Sequence, residues 1–212
     1  GYHVWDLDNI KYADFAQMGV GSCIHGYANP IINKKVIKSI RNGSMSSLNS
    51  YEEIELAERL LDLHPYSSMA RFARTGGEAC SIAVRIARAA SGKDGVAFCG
   101  YHGWHDWYIS ANIQDSENLN NQLLSGLNPD GVPKELAGTI FPFLYNDFDS
   151  LDIIEKNKTN IGVVIMEPIR GVPPLPGFLE KVREICDKIG AVFIIDEVTS
   201  GFRTNAGRSE ER

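Results

Sequence analysis

The sequence predicts an α/β fold with a mostly parallel sheet that is covered by helices on both faces. Three observations support this prediction. Short apolar runs of strand length, such as Val192–Ile195, end directly on carboxylates, which is typical of strands buried on both faces. Helix-period segments alternate with these runs over the second half of the chain, which favours parallel strands joined by crossover helices. The glycine pair Gly76–Gly77 precedes one helical segment, and such glycines are typical of helices whose N-termini bind anions.

Composition and charge exclude several classes of protein. The chain has 212 residues, 43% of them hydrophobic and 23% charged, which is ordinary for a globular protein. A net charge of −6 argues against a general binder of nucleic acid or of anionic membranes, and we expect neither partner. No apolar run has the length of a membrane span. The cysteines are scattered without a C-x-x-C pair, which favours reduced thiols in a cytoplasmic protein over a disulfide framework or a zinc site.

The first predicted elements are a hairpin, a loop and two helices. Residues Val4–Phe15 alternate around a turn signal, which predicts a β-hairpin, and Met18–Gly26 is a glycine-rich loop. A helix is predicted from Pro30 to about Arg41, because proline is favoured in the first turn. The capping-box pattern that starts at Ser50 predicts a second helix, which His64 and the following proline end.

The next segment has the order of an anion-binding turn. Met69–Ala73 is predicted as a short strand, followed by Thr75, Gly76 and Gly77 and then a helix over Glu78–Ala90. Free backbone N–H groups, a positive helix end and the absence of side chains would suit an anion there. The alternative is a tight turn without a ligand. The pattern is not G-x-G-x-x-G, so nothing supports a dinucleotide site.

A second strand is predicted at Gly95–Cys99, and aromatic residues follow it. Tyr101 at the end of this strand could stack on a flat ligand, the alternative being packing of the loop. His102 and His105 have a spacing that metal ligands can have, but no third ligand is near them in the sequence. We therefore expect no metal site.

The rest of the chain continues the alternation of strands and helices after a long polar loop at Gln114–Gly138, which is typical of a functional or mobile segment. The remaining predicted elements are a strand at Thr139–Phe143, a helix from Asp147 to about Lys158, a strand at Gly162–Met166, a helix from Gly177 to Ile189 and the strand at Val192–Ile195.

Asp196 lies where ligands bind in open α/β sheets, at the carboxyl end of a predicted strand. Such a carboxylate could hold a metal, pair with an arginine or keep a ring nitrogen protonated, or it could simply cap a helix. Thr75, Gly76 and Gly77 form what we call the cup. Together with the cup and Tyr101, Asp196 suits an aromatic cofactor that bears a phosphate. Pyridoxal phosphate fits this description, because its pyridine nitrogen must stay protonated for it to act as an electron sink.

Four stretches of the sequence resemble the class III pyridoxal-phosphate aminotransferases of fold type I, and in particular those similar to glutamate-1-semialdehyde 2,1-aminomutase. Arg74–Ala79 resembles the phosphate cup S-G-T-E-A of this family, and Tyr101–Gly103 resembles its Y-H-G. Met166–Ile169, with Pro176–Leu179 after it, resembles E-P…P-G-F-L, and Ile195–Arg203 resembles D-E-V-x-[ST]-G-F-R. The match covers nearly the whole chain.

The resemblance implies roles for the residues around the cup. Gly76 and Gly77 would donate backbone N–H groups to the cofactor phosphate, and the Thr75 hydroxyl would assist them. Tyr101 would stack on the pyridine ring. His102 follows the stacking residue and belongs to the implied cofactor site, with a structural role as the alternative.

The resemblance also implies roles for three residues beyond the cup. Asp196 would pair with the pyridine nitrogen, which makes it the catalytic residue of this chain, and Val198 would pack on the other face of the ring. Glu167 would lie beneath the site and help to hold it together. The Schiff-base lysine of the family follows the D-E-V stretch, and Lys181 and Lys188 precede it, so we expect no catalytic lysine in this chain.

Two further departures from the family pattern affect what can be expected. The polar tail Asn205–Arg212 does not lead into the next expected strand, so we expect the chain to be a fragment of a longer protein. The loop Glu167–Pro174 is shorter than the usual loop after E-P, which leaves the substrate open. Residues 1–45 are predicted as an N-terminal segment of the small domain or its lead-in, and residues 46–212 as part of the large cofactor-binding domain.

The function implied by the resemblance is transfer of an amino group from an amino donor to a carbonyl substrate, both small molecules, by a pyridoxal-phosphate-dependent homodimer. One alternative is an aminomutase, which moves the amino group within one substrate. Another is a non-catalytic relative that keeps the pocket as a binding or dimerisation module. Amino exchange with an added keto acid separates the first two, and the presence of a downstream lysine separates both from the third.

Overall fold

The structure is a computed structural model that describes residues 1–16, 21–45, 47–122, 126–203 and 205–207. Parts of three predicted segments, Met18–Gly26, Gln114–Gly138 and Asn205–Arg212, lie outside the described residues. The chain divides into two compact units, Gly1–Ala70 and Arg71–Arg212. The predicted domain boundary between residues 45 and 46 stays a prediction. No helix in the described ranges has the length and apolar character that crossing a membrane requires.

The first unit begins with the predicted hairpin. Strands β1 (His3–Trp5) and β2 (Lys11–Ala13) pair in antiparallel register. The Asp6 carboxylate closes the connection, because it accepts hydrogen bonds from the backbone N–H groups of Asp8 at 3.0 Å and Ile10 at 2.9 Å. The hairpin prediction is confirmed.

Two helices follow in the first unit, and both begin where the sequence predicted, the first from Pro30 and the second from the cap Ser50. Helix α1 (Pro30–Asn42) is capped by the Asn29 side chain. Helix α2 (Tyr51–Leu63) is capped by Ser50 and ends at His64. Each cap satisfies backbone N–H groups that have no partner within the helix. Neither helix has a fully buried residue: the apolar face of α1 is exposed, and that of α2 is only partly buried.

The second unit is built on a four-stranded sheet with the order β4-β3-β5-β6, in which every neighbouring pair is parallel. Its strands are β3 (Gly95–Cys99), β4 (Ile140–Pro142), β5 (Ile161–Met166) and β6 (Val192–Ile195). The predicted parallel sheet is therefore confirmed, and so are the positions of its strands. Because the strands are parallel, their carboxyl ends meet at one edge.

Helices cover both faces of this sheet, as predicted. They are α3 (Gly76–Ser91), α4 (Asp106–Ile109), α5 (Ala111–Gln114), α6 (Asp152–Lys156) and α7 (Phe178–Ile189). Val96 and Phe98 pack with α3 in one buried cluster, whereas Ala97 and Cys99 pack with α6 and α7 in the other. This alternation follows from the period of two along a strand.

The strand predicted at Met69–Ala73 is wrong. Residues 67–73 have no regular secondary structure, and Met69 is 85% exposed. A strand requires a hydrogen-bonded neighbour, and none of the described strands pairs with this segment. The helix that follows begins at Gly76, two residues before the predicted start at Glu78, because Thr75 caps it.

Three other predictions need correction. Strand β6 was expected to be buried on both faces, but its residues are only partly buried, because β6 pairs with β5 alone among the described strands and so lies at the edge of the sheet. The helix predicted from Asp147 to Lys158 begins as a 3₁₀ turn at Asp149–Leu151 and continues as the short α6. The long polar loop contains a 3₁₀ turn at Lys134–Leu136.

Candidate active site

The carboxyl ends of three adjacent strands bring together the residues that the sequence singled out. Tyr101 and His102 follow β3, Glu167 follows β5 and Asp196 follows β6. Hydrogen bonds join these strand ends, because Glu167 donates its backbone N–H to the carbonyl of Cys99, the last residue of β3. The site residues predicted on separate strands therefore lie at one edge of the sheet, where α/β proteins bind ligands.

The N-terminus of α3 lies where the sequence predicted the anion cup, at Thr75, Gly76 and Gly77. Thr75 caps the helix in a capping box: its hydroxyl oxygen accepts from the Glu78 N–H at 3.2 Å, and the Glu78 carboxylate accepts from the Thr75 N–H at 3.2 Å. Gly76 and Gly77 follow, and their N–H groups have no hydrogen-bond acceptor among the described residues. The Thr75 hydroxyl hydrogen stays available as well, since a hydroxyl can accept and donate together.

Close packing around the cup requires its glycines. A Cβ on Gly76 would lie 3.0 Å from the Cγ1 atom of Val198, so Val198 contacts the first residue of α3. Gly103 has a φ of +101°, and a Cβ there would lie 2.7 Å from the Cα of Gly77. Val198 itself is 57% exposed and is therefore open to a ligand at the cup.

Asp196 is buried and accepts three hydrogen bonds. Its Oδ2 accepts from His102 Nδ1 at 2.7 Å and from the Cys80 thiol at 3.2 Å, and its Oδ1 accepts from the Val198 N–H at 2.9 Å. Burial acts to raise the pKa of Asp196, but the hydrogen bond and charge of His102, together with the other two donors, outweigh it and lower the pKa. The carboxylate is thus held in its ionised form. The cap alternative is partly realised, because Oδ1 binds the N–H two residues ahead.

His102 is fully buried between two acceptors. Nδ1 faces the Asp196 carboxylate, and Nε2 lies 3.2 Å from the carbonyl oxygen of Cys99. Both ring nitrogens of His102 therefore face an oxygen acceptor. Cys80, His102 and Asp196 have ligand atoms within 4.8 Å of one another, but the contacts of Oδ2 with Nδ1 and Sγ are hydrogen-bond distances. These three side chains therefore form a hydrogen-bonded group.

Glu167 connects the strand ends through its carboxylate, and its supporting role beneath a cofactor stays a prediction. One carboxylate oxygen accepts from the Tyr101 N–H and from Arg170 Nε, both at 3.2 Å. The other oxygen accepts from the Thr199 hydroxyl at 3.1 Å. Gly100, with a φ of +120°, leaves the space that this carboxylate occupies. Glu167 thus links the segments that follow β3, β5 and β6.

Tyr101 is held at the edge of the site by its neighbours. Its ring meets that of Tyr108 edge to face at 5.8 Å, and the Tyr108 hydroxyl donates to the Gly100 carbonyl at 2.8 Å. The Gln122 side chain accepts from the Gly100 N–H at 2.7 Å. The position of Tyr101 is thereby defined, and stacking of its ring on a ligand stays a prediction.

Several residues of the site were not found from the sequence. They are Cys80, Gln122, Arg170 and Thr199. Cys80 offered one signal, because it lies one turn after Gly76 on the face of α3 that meets the sheet. Arg170 contacts Glu167 from three residues further along the chain, whereas Gln122 and Thr199 reach their partners only through tertiary contacts. Gln122 comes from the long polar loop, which the sequence predicted to be functional or mobile without indicating a residue.

Lys181 and Lys188, the lysines of α7, form ion pairs with other side chains than those of the site. Lys181 pairs with Glu184 at 3.0 Å and Lys188 with Glu155 at 2.8 Å, and all four side chains are largely exposed. Both pairs are therefore typical surface ion pairs. The absence of a Schiff-base lysine from this chain stays a prediction.

Comparison with known proteins gives one family. The profile described as Aminotransferase class-III matches residues 1–209. The chain is 36% identical to a 3-aminobutyryl-CoA aminotransferase of Cloacimonas acidaminovorans (strain Evry), over 100% of this chain and 49% of that protein. It is 34% identical to a glutamate-1-semialdehyde 2,1-aminomutase of Syntrophobacter fumaroxidans (strain DSM 10017 / MPOB), again over 100% of this chain and 49% of that protein. The chain spans about half the length of these curated relatives.

Solved structures agree with this result. A transaminase with PLP bound superposes with a TM-score of 0.82 at 27% identity, over 94% of this chain and 47% of that chain. An omega-transaminase from Sphaerobacter thermophilus superposes with a TM-score of 0.80 at 29% identity, with the same coverage of 94% and 47%. The parallel sheet of the present chain and the cup at the N-terminus of its helix α3 agree with these similarities. Together they show that the chain belongs to the class III aminotransferase family and has the α/β fold of these transaminases.

Proposed function

We propose that this chain is the cofactor-binding part of a pyridoxal-phosphate-dependent aminotransferase of class III, which moves an amino group from a small amino donor to a small carbonyl substrate. The observation that carries the proposal is the pairing of a free helix N-terminus with a buried, ionised carboxylate at the same sheet edge. An anionic group at one end of a ligand and a protonated ring nitrogen at the other would satisfy both.

The residues present fit pyridoxal phosphate. The N–H groups of Gly76 and Gly77, which have no acceptor in the part of the chain that the structure describes, and the hydroxyl hydrogen of Thr75 would be donors for its phosphate. Asp196 has the charge and the burial to keep a proton on its pyridine nitrogen. The bound cofactor supplies an aldehyde that accepts the amino group and a ring that withdraws electrons.

The other site residues would orient and enclose the ring. Tyr101 and Val198 would contact its two faces, since Tyr101 directly precedes His102, the partner of Asp196, Val198 contacts Gly76 of the cup, and both side chains are partly accessible. Glu167 would keep the segments after β3, β5 and β6 in register, and His102 would hold Asp196 ionised and fixed. The lysine that bonds the cofactor and carries protons in this family is expected C-terminal to Arg203.

The test is a titration of the full-length protein with pyridoxal phosphate, followed by an assay of amino-group exchange. We expect saturable binding with a change in visible absorbance, and transfer of the amino group of a donor to an added keto acid. Absence of saturable binding would contradict the proposal. Binding without any turnover would favour the non-catalytic module. Homodimeric assembly and a cytoplasmic location stay predictions, and analytical ultracentrifugation tests the first.

An aminomutase is the second candidate function, because two of the relatives are named glutamate-1-semialdehyde 2,1-aminomutase, at 34% and 35% identity. Isotope labelling separates the candidates. A mutase would retain a labelled nitrogen within the substrate in the presence of an added keto acid, whereas a transferase would release the label into the new amino acid.

A further inference from the structure

Cys80 makes a polar contact that the chemistry proposed above does not assign. It lies on α3, it is 6% exposed, and its thiol is 3.2 Å from Asp196 Oδ2. Burial, followed by the charge of Asp196, raises the pKa of the Cys80 thiol, so the sulfur keeps its hydrogen and is the donor in this contact. A donor to an ionised acceptor forms a stronger hydrogen bond than a neutral pair does.

The position of Cys80 connects the two ends of the candidate site. Cys80 follows Gly76 by four residues, so both lie on the same side of α3, one turn apart. Asp196 contacts Cys80, and Val198 contacts Gly76. The segment after β6 is therefore attached to α3 at two points, and the helix sets the distance between the anion cup and the carboxylate.

The two carboxylate oxygens of Asp196 accept hydrogen bonds from different donors. Oδ2 accepts from both side-chain donors, His102 and Cys80, which approach from β3 and α3. Oδ1 accepts only from the Val198 N–H among the contacts of Asp196 in the described part of the chain. A carboxylate oxygen has two lone pairs, so Oδ1 retains one for a further donor.

We propose that Cys80 is a positioning residue for Asp196: its thiol and the imidazole of His102 fix Oδ2 from two directions, so that Oδ1 is presented to the protonated ring nitrogen of the cofactor. This inference rests on the proposed function only for the identity of the ligand. The contact between Cys80 and Asp196 acts without the ligand and can be measured in its absence.

The first experiment uses full-length protein without cofactor. The ring of His102 is observed by ¹⁵N–¹H NMR in the wild type, in Cys80→Val, which removes the donor, and in Cys80→Ser, which keeps one. Cys186→Val is the matched control, because Cys186 is a fully buried thiol on the opposite face of the sheet. We expect the Nδ1–H resonance of His102 to move downfield in Cys80→Val, as Asp196 loses a competing donor, and to stay near the wild-type position in Cys80→Ser and Cys186→Val.

The second experiment measures the dissociation constant of pyridoxal phosphate in the same variants. We expect it to rise about 3- to 10-fold in Cys80→Val, the size of one hydrogen bond, and to change less than about twofold in Cys80→Ser and in the control. Thermal melts identify any variant that does not fold, and Cys80→Ala then replaces Cys80→Val. A role in packing alone would give the same result for Cys80→Val and Cys186→Val in both experiments, which would overturn the proposal.

Failure of the proposed function has a different result. If the wild type binds no pyridoxal phosphate but the His102 resonance still moves in Cys80→Val, the assigned ligand is wrong and the positioning role of Cys80 stands. If the wild type binds the cofactor and neither the resonance nor the dissociation constant responds to Cys80→Val, the assigned ligand stands and the role of Cys80 is wrong.

Discussion

The two ends of the parallel sheet differ in whether the protein itself supplies acceptors for their hydrogen-bond donors. At the amino end, Lys93 lies between α3 and β3, and its Nζ donates to the carbonyls of Lys158 at 2.9 Å and Ile189 at 3.0 Å. At the carboxyl end, the N–H groups of Gly76 and Gly77 have no acceptor among the described residues. The cation at the amino end is thus satisfied by the protein itself, whereas the donors at the carboxyl end are not.

This difference indicates that the amino end of the sheet stabilises the fold, whereas the carboxyl end is suited to binding a ligand. Ile189 ends α7, so Lys93 places a positive charge at the negative end of a helix dipole and stabilises the fold. The N-terminus of α3 has the opposite polarity and remains open, which favours an anionic ligand. Substitutions at the carboxyl end should therefore change ligand binding and turnover, and those at the amino end should change stability.

The largest effect is expected for Asp196→Asn in the full-length protein. The amide has no charge to keep the pyridine nitrogen protonated, so we expect turnover to fall by about 10²–10⁴-fold with the fold retained. Steady-state kinetics measure the loss, and circular dichroism checks the fold. Asp187→Asn is the control, because Asp187 is exposed on α7. Turnover within a few-fold of wild type would show that the role of Asp196 is wrong.

Gly76→Asp should weaken binding of pyridoxal phosphate by about 100-fold, because it places a side chain and a negative charge at the anion cup. Fluorescence titration measures the affinity. Gly76→Ala is the matched control without charge. Its Cβ would lie 3.0 Å from Val198 Cγ1, and this exposed side chain can move, so we expect a much smaller loss. An unchanged affinity in Gly76→Asp would exclude a phosphate site at this helix.

Gly162→Ala tests the amino end of the sheet. A Cβ on Gly162 would clash with Ser91 Oγ and would lie 2.7 Å from the Cβ of Lys93, so we expect a loss of about 1–3 kcal/mol in the free energy of unfolding. Urea denaturation measures it. In a Ser91→Ala background only part of this loss should disappear, since the contact with Lys93 remains. The affinity of the folded protein for the cofactor should not change, and a marked change would contradict the division between the two ends.

The smallest effect is expected for Lys93→Met, which removes both hydrogen bonds of Nζ and the charge at the end of α7 but keeps the aliphatic chain. We expect a loss of about 1–2 kcal/mol in the free energy of unfolding, again without a change in cofactor affinity. Lys156→Met is the control, because Lys156 forms an exposed ion pair with Asp152, and it should have no measurable effect. Equal stabilities of the two variants would show that Lys93 does not stabilise the amino end.

The sequence by itself determined the local features of this protein. The sequence predicted the helix starts at Pro30 and after Ser50 and the strands at Gly95–Cys99 and Gly162–Met166, because caps, turns and buried runs depend on neighbouring residues. It did not predict the cap at Thr75, which starts α3 two residues before the predicted start. The order of strands and helices also predicted the parallel sheet, and with it the edge where Asp196 would lie.

Only the tertiary structure decided which side chains meet at that edge. The contact of Cys80 with Asp196 joins residues that are 116 positions apart, and Gln122 reaches Gly100 from a loop with no periodic pattern. Tertiary structure also decided burial and pairing. Among the described strands, β6 has β5 as its one neighbour and is therefore partly exposed. Met69–Ala73 has no neighbouring strand among them and forms no strand itself. Pairing and burial depend on partners distant in sequence, and a local pattern contains no information about where those partners are.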